Sequence, residues 1–264
     1  MMAFYQAKNY SLAYSIKENA WTHDLIFLNG NLATSRWWMP TVEKIKPTGP
    51  HSPGRMIFLE LPGCGGSSAL TAELDVHEIV NSYLEILKFL KVSQASIIGH
   101  STGGILSALM MAKRPELFKK ALLLDPVGPQ GITFEDSVLE KYEEMKTNKE
   151  LTAMIIAFTI NNCDQDSEFF KKIIVEDTFA SVQKVGSRMI LSLRNLNTEN
   201  EVKKVKTPTI VLFGEKDFLL PKAHAELLAQ TVQNGIFREI PGAGHCLNIE
   251  NPAKMAELIQ TELG

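Results

Sequence analysis

Short apolar segments alternate with longer segments of helical periodicity through most of the chain. In the helical segments apolar residues recur three or four positions apart, as in residues 76–90. Apolar runs this short are typical of strands that are buried on both faces of a parallel sheet. The alternation therefore predicts the α/β class, with right-handed crossovers between strands. The predicted strands are residues 25–28, 56–61, 95–98, 121–124, 209–213 and 236–240.

Two segments depart from this alternation. Residues 4–16 alternate polar and apolar side chains around Lys8-Asn9, which predicts an N-terminal antiparallel hairpin. Residues 127–204 contain helix-like pieces and no convincing strand, which is more helix than one crossover needs. We therefore expect a helical cap, or lid, inserted before the last two strands. The predicted helices of this insertion are residues 134–145, 151–160, 167–175 and 179–193.

This division predicts two domains. A core domain comprises residues 1–126 and 205–264, and the cap domain comprises residues 127–204. The core is predicted to be a mostly parallel central sheet, to which the N-terminal hairpin adds antiparallel strands.

Composition narrows the classes of function. The 264 residues include 45% apolar side chains, carry a formal net charge of −3 and form no basic segment with interleaved aromatics. We therefore expect no nucleic-acid partner. No apolar run approaches the roughly 18 residues of a membrane-spanning helix, and the first 20 residues do not resemble a signal peptide. Three cysteines without a CxxC pair, and no metal-ligand spacing, predict a cytoplasmic protein that uses neither a metal nor a cofactor.

The segment Gly99-His100-Ser101-Thr102-Gly103 lies directly between a predicted strand and a predicted helix. A serine in such a sharp turn has a strained backbone, and small residues are needed two positions before and after it. The helix that follows directs its N-terminal N–H groups toward the serine, where negative charge develops during acyl transfer. The pattern predicts that Ser101 is a nucleophile. A glycine-rich phosphate loop is the alternative, but the lysine of a P-loop is missing.

A serine hydroxyl becomes an effective nucleophile when a base accepts its proton. His245 lies in a glycine-containing loop directly after the last predicted strand, and loops at the carboxyl ends of parallel strands form the active sites of open α/β sheets. His245 is therefore the predicted base. His100 adjoins the serine, but the turn directs neighbouring side chains in different directions. The remaining histidines are His23, His51, His77 and His224.

The histidine needs an acid that fixes its tautomer and stabilises the imidazolium. Asp217 follows the predicted strand 209–213 and is the preferred acid. Asp125 follows strand 121–124, which opens onto the same edge of the sheet, and stays open as the alternative acid. The resulting chain order is Ser101, Asp217, His245, which is the α/β-hydrolase order and differs from the orders of chymotrypsin and subtilisin.

With these residues the chain resembles the α/β-hydrolase superfamily over essentially its whole length, and in particular compact serine esterases and enol-lactonases with a helical cap. Residues 27–31 stand where that family has a His-Gly pair after its third strand, with Asn29 in place of the histidine. The resemblance implies that the backbone N–H groups of Asn31 and Thr102 form an oxyanion hole. The segment that begins at Glu60 resembles the family's next glycine-rich turn, with Glu60 replacing an aspartate.

Trp37, Trp38 and Met39 follow the predicted oxyanion loop closely. Aromatic and thioether side chains at this place predict an apolar acyl pocket. The alternative is that they pack the following helix against the sheet.

The predicted function is a serine hydrolase that cleaves a small carboxylic ester, thioester or lactone through an acyl-enzyme intermediate. A ligand-sensing signalling protein that keeps the fold and the triad is an alternative from another class. A related C–C hydrolase or perhydrolase is a third, because the same residues serve these reactions in the superfamily. The expected partner is a small-molecule substrate, and the sequence does not set the oligomeric state.

Overall fold

The protein is described from a computed structural model, which covers residues 2–18, 21–46, 54–70 and 72–264. Within these ranges eight strands form one sheet in the order β1-β2-β4-β3-β5-β6-β7-β8. Strand β2 runs antiparallel to β1 and β4, and the other neighbouring pairs are parallel. The predicted N-terminal hairpin and the mostly parallel sheet are thereby confirmed. The strands are β1 (Met2–Gln6), β2 (Ser11–Glu18), β3 (Asp24–Leu28), β4 (Arg55–Leu59), β5 (Ala95–His100), β6 (Phe118–Leu124), β7 (Thr209–Gly214) and β8 (Gly235–Ile240).

Helices cover both faces of this sheet. Consecutive strand residues point to opposite faces, so Ile26 packs into one apolar cluster and Phe27 into another. The first cluster lies under α2, α3 and α9, and the second lies under α1 and α11. The core helices are α1 (Met39–Val42), α2 (Val76–Phe89), α3 (Thr102–Lys113), α9 (Lys222–Thr231), α10 (Leu247–Glu250) and α11 (Pro252–Leu263).

The connection between β6 and β7 is helical. Residues 125–208, all of which the structure describes, hold five α-helices and one π-helical segment and no strand of the sheet. A third apolar cluster joins this connection to the core, because Ile156 and Phe170 pack with Trp37 and Cys246. The elements are α4 (Ser137–Met145), α5 (Lys149–Phe158), the π-helical turn Phe170–Ile174, α6 (Val175–Val185), α7 (Arg188–Leu193) and α8 (Glu199–Val202).

The prediction of one helix over residues 179–193 is wrong. The helix ends at Gly186, whose φ of 56° is in the left-handed region, and a new helix starts at Arg188. Glycine adopts this conformation without a Cβ penalty and commonly ends helices. The helical spacing of apolar residues continues on both sides of Gly186, so this pattern does not reveal the break between the two helices.

In the described residues no helix combines the length and the apolarity needed to cross a membrane.

Candidate active site

Ser101 occupies the turn between β5, which ends at His100, and α3, which begins at Thr102. Its φ of 53° and ψ of −116° lie in a region that residues other than glycine rarely adopt. Backbone strain of this kind costs of order 1–3 kcal/mol and persists where the surrounding structure enforces it. The strained serine at a strand-to-helix turn is the geometry of a nucleophile elbow.

Two glycines make this turn sterically possible. A Cβ on Gly99 would lie 2.4 Å from the Gly103 carbonyl oxygen and from Ser107 Oγ. A Cβ on Gly103 would lie 2.8 Å from the backbone of Leu28 and Asn29. Backbone atoms at these distances leave no room for a side chain, so both glycines are required for close packing, as the sequence pattern predicts.

His245 and Asp217 form a short hydrogen bond at the carboxyl edge of the sheet. His245 Nδ1 lies 2.8 Å from Asp217 Oδ2, and both side chains are almost fully buried. The other carboxylate oxygen, Oδ1, accepts the N–H groups of Leu219 and Leu220 at 2.7 and 3.2 Å. Since an ionised carboxylate only accepts, His245 donates from Nδ1, and Nε2 is left as the basic nitrogen.

Asp125, the alternative acid, lies beside this pair. One of its carboxyl oxygens, one of Asp217 and a ring nitrogen of His245 lie within 4.8 Å of one another. Asp125 Oδ1 accepts the N–H of Gly214 at 2.7 Å, whereas its buried Oδ2 contacts no hydrogen-bond partner among the described residues. Burial and the nearby charge of Asp217 raise the pKa of Asp125 well above its ordinary value, which favours a neutral acid at this position.

The loop of His245 is held from two directions. The Glu250 carboxylate accepts the N–H groups of Gly244 and Cys246, on either side of His245, at 2.7 and 2.9 Å. It also accepts the N–H of Asn161, from the helical connection, at 3.0 Å.

His100 forms the second support of this loop. Its Nε2 lies 2.9 Å from the backbone carbonyl oxygen of His245. Burial lowers the pKa of His100 to about 3, so the ring is neutral and donates from Nε2. This role could not be predicted from sequence, because a pairing across 145 positions leaves no local signal.

The loop after β3 packs directly against the serine. A Cβ on Gly30 would lie 3.1 Å from Ser101 Cβ and 3.0 Å from His100 Nδ1. This contact places residues 30 and 31 beside Ser101 and Thr102, and all four line one cavity. The predicted oxyanion donors, Asn31 and Thr102, thus belong to two segments that contact each other.

Asn29 and Glu60, the two residues that depart from the family pattern, contact each other. Asn29 Nδ2 donates to Glu60 Oε2 at 3.2 Å, and the N–H of Ser35 donates to Glu60 Oε1 at 3.0 Å. Glu60 thus fastens both ends of the loop, residues 29–35, to the end of β4. Its deep burial raises the pKa of Glu60 to about 7.

A cavity of about 640 Å³ opens next to Ser101 and His245. Its walls are largely apolar, and the polar side chains among them include Asn31, Tyr142 and His224. A cavity of this size and polarity is typical of small-molecule sites. Apolar side chains of residues 127–193 that line it are Val127, Ile132, Phe134, Val138, Met145, Leu151, Ile155, Ile156, Ile190 and Leu193.

Of the three predicted pocket residues, one lines the cavity and two do not. Trp37 lines the cavity. The prediction is wrong for Trp38 and Met39, which belong to the core between the sheet and α11. Trp38 is fully buried with its ring centroid 5.4 Å from that of Phe27. The chain passes Trp37 and Trp38 in one 3₁₀ turn, Ser35–Trp38, which sends neighbouring side chains in different directions.

Ser101 and His245 line the same cavity, but no hydrogen bond joins Ser101 Oγ to His245 among the described residues. In unliganded active sites such bonds are often long and shorten when substrate binds.

Of the other histidines considered, His51 lies outside the described residues.

The sequence profile described as the alpha/beta hydrolase family matches residues 25–258, and the chain belongs to that family. A curated relative from Acinetobacter baylyi, (E)-2-((N-methylformamido)methylene)succinate hydrolase, is 22% identical over 248 residues, covering 90% of this chain and 89% of the relative. A pimeloyl-acyl-carrier-protein methyl ester esterase from Pectobacterium carotovorum is 23% identical, covering 92% of this chain and 94% of the esterase.

Solved structures show the same fold. The enol-lactonase from Burkholderia xenovorans superposes with a TM-score of 0.80 at 16% identity, covering 99% of both chains. At this identity the likeness concerns the fold, and the chemistry has to be argued from the site itself.

Proposed function

We propose that this protein is a serine hydrolase that cleaves a carboxylic ester, thioester or lactone through an acyl-enzyme intermediate. The observation that carries the proposal is the cavity that the strained Ser101 shares with His245. The Nδ1 of His245 is hydrogen-bonded to Asp217. The relatives named above are hydrolases, which supports the reaction class.

In the first half-reaction Ser101 Oγ attacks the substrate carbonyl carbon while His245 Nε2 accepts the hydroxyl proton. The tetrahedral intermediate carries a negative oxygen, which the N–H groups of Asn31 and Thr102 stabilise. His245 then donates the proton to the leaving group, which is the oxygen of an alcohol or the sulfur of a thiol. The acyl group stays on Ser101. For a lactone, the departing alcohol remains part of the acyl group.

In the second half-reaction water replaces the alcohol. His245 Nε2 accepts a proton from the water as its oxygen attacks the acyl carbon, and the same proton reaches Ser101 Oγ when the acid leaves. Asp217 stabilises the imidazolium in both halves and holds its tautomer. The largely apolar walls favour a substrate with an apolar acyl or alcohol group.

Residues 127–204 act as the cap, because their side chains form much of the cavity wall. The three cysteines are free thiols, which supports a reducing, cytoplasmic location.

Hydrolysis of p-nitrophenyl butyrate by the wild type and by Ser101→Ala tests the proposal. We expect the substitution to lower kcat by at least about 1,000-fold, because it removes the nucleophile. Equal rates for the two proteins would overturn the proposal. One equivalent of p-nitrophenol per protein without further turnover would instead favour the ligand-sensing alternative.

A further inference from the structure

Two polar side chains meet inside the largely apolar cavity. Asn31 Nδ2 donates to the hydroxyl oxygen of Tyr142 at 2.7 Å, and both residues line the cavity beside Ser101. Asn31 belongs to the loop after β3, and Tyr142 lies on α4 of the helical connection. The pair therefore joins the two sides of the site.

This pair is incompletely satisfied by protein atoms. Asn31 Oδ1 is buried and has no hydrogen-bond partner among the described residues. Since the Tyr142 oxygen accepts from Asn31, the phenolic hydrogen points elsewhere. Burial also raises the pKa of Tyr142 well above its ordinary value, so this hydrogen is present at neutral pH.

The pair therefore keeps hydrogen-bonding groups of both kinds that the described residues do not use. These are the phenolic hydrogen and the second Nδ2 hydrogen as donors, and Asn31 Oδ1 as an acceptor. Rotating the Asn31 amide by half a turn exchanges the roles, because Tyr142 then donates to Oδ1 while both Nδ2 hydrogens and the phenolic oxygen are left unused. Either orientation thus leaves two donor hydrogens and at least one acceptor oxygen, and a hydroxyl group, which donates and accepts at one oxygen, can bind to both kinds.

The surrounding charges argue against an anionic group at this place. Among the described residues that line the cavity, Lys141 is the one lysine or arginine, and its Nζ is paired with Glu144 at 2.8 Å on the exposed side of α4. A substrate carboxylate would lose its hydration without gaining a free cation. A neutral hydroxyl carries a much smaller desolvation cost.

We propose that Asn31 and Tyr142 form a subsite that selects esters carrying a free hydroxyl near the scissile carbonyl, the remainder of the substrate being apolar. The inference rests on the proposed hydrolase function and names its substrate class. Asn31 follows Gly30, which packs on Ser101, and Asn31 lines the same cavity as the nucleophile. The hydroxyl thus belongs on a carbon close to the ester bond, on the acyl or the alcohol side.

Binding to Ser101→Ala protein tests the subsite without turnover. The alcohol-side probes are 2-hydroxyethyl hexanoate and propyl hexanoate, and the acyl-side probes are ethyl 3-hydroxyhexanoate and ethyl hexanoate. Isothermal titration should show about tenfold tighter binding of the hydroxylated ester in at least one pair. Adding Tyr142→Phe should abolish that preference, whereas Tyr5→Phe, on the edge strand β1, should preserve it.

Three results would overturn the subsite: equal affinity within both pairs, no measurable binding of any probe, or a preference that Tyr142→Phe leaves intact. Tighter binding of monoethyl adipate than of the hydroxylated esters would contradict its neutral character. Because each comparison is a ratio within one protein, partial unfolding of a variant does not produce the expected result.

The corresponding kcat/KM ratios in protein that retains Ser101 separate this inference from the proposed function. A hydroxyl preference in binding without any hydrolysis would refute the hydrolase and leave the subsite standing. Hydrolysis without a hydroxyl preference would support the hydrolase and refute the subsite.

Discussion

Two carboxyl groups lie next to His245, and their environments differ. Asp217 contacts the imidazole directly and accepts two backbone N–H groups. Asp125 is buried, one of its oxygens has no hydrogen-bond partner among the described residues, and burial raises its pKa. The geometry favours Asp217, the carboxyl group in contact with the imidazole, as the acid of the proposed triad.

We expect Asp217→Asn to lower kcat by about 100- to 10,000-fold, because the amide no longer stabilises the imidazolium. Asp125→Asn should lower it by less than about fivefold, since an amide oxygen can still accept the N–H of Gly214. Steady-state kinetics of the two variants on one ester measures both effects. The reverse ranking would make Asp125 the acid.

The residues whose place at the candidate site could be predicted from sequence are those that have a local signature. Ser101 is marked by flanking glycines, and His245 and Asp217 by their positions after strands. Trp38 and His100 could not be predicted, because a 3₁₀ turn and a contact across the fold decide where they point. The Asn31–Tyr142 bond joins residues 111 positions apart and likewise has no local signal.

At the scale of elements, the strands and core helices were predicted well because burial on both faces produces continuous apolar runs. The predicted strand 121–124 begins earlier in the structure, at Phe118, since exposed Lys119 masks its first residues. The helix break at Gly186 was missed because it depends on one backbone conformation. Two loops of the site are held by carboxyl groups that accept backbone N–H groups. Glu250 holds the His245 loop, and Glu60 holds residues 29–35.

Glu250 stabilises the His245 loop by accepting three backbone N–H groups. Glu250→Ala should lower the free energy of unfolding by about 2–4 kcal/mol, because these donors lose a charged acceptor. Glu257→Ala, which removes an exposed carboxylate on α11, should change it by less than about 0.5 kcal/mol. Urea denaturation measures both, and similar losses would contradict the assigned role of Glu250.

Glu60 makes stability depend on pH in a defined direction. Its folded-state pKa of about 7 exceeds the ordinary value of 4.5, so the folded protein binds the proton more tightly than the unfolded chain. Stability therefore decreases as pH rises from about 4.5 to 7, and the decrease is complete above the folded-state pKa.

We expect the wild type to lose about 1–3 kcal/mol relative to Glu60→Gln between pH 5 and pH 8. The variant carries no titrating group at this position, so the difference isolates Glu60 from all other ionisations. Urea unfolding at the two pH values measures it. Parallel pH profiles of the two proteins would show that Glu60 is ionised in the folded state throughout.

At the scale of the whole molecule, the fold brings together residues that are distant along the chain. Parallel strands β5, β6 and β7 end at one edge, which carries Ser101, Asp125 and Asp217, and the loop after β8 adds His245. The helical connection after β6 closes the cavity above this edge. The sheet and the identity of the edge residues follow from sequence patterns, whereas the shape of the cavity depends on how the connecting helices pack.

His245 is proposed to activate Ser101 as a nucleophile, and labelling with a fluorophosphonate tests this activation because the reagent modifies activated serines. Peptide mass spectrometry should find one adduct on Ser101, no adduct in Ser101→Ala and labelling at least about 100-fold slower in His245→Ala. Labelling of another residue, or an unchanged rate in His245→Ala, would show that His245 does not activate Ser101.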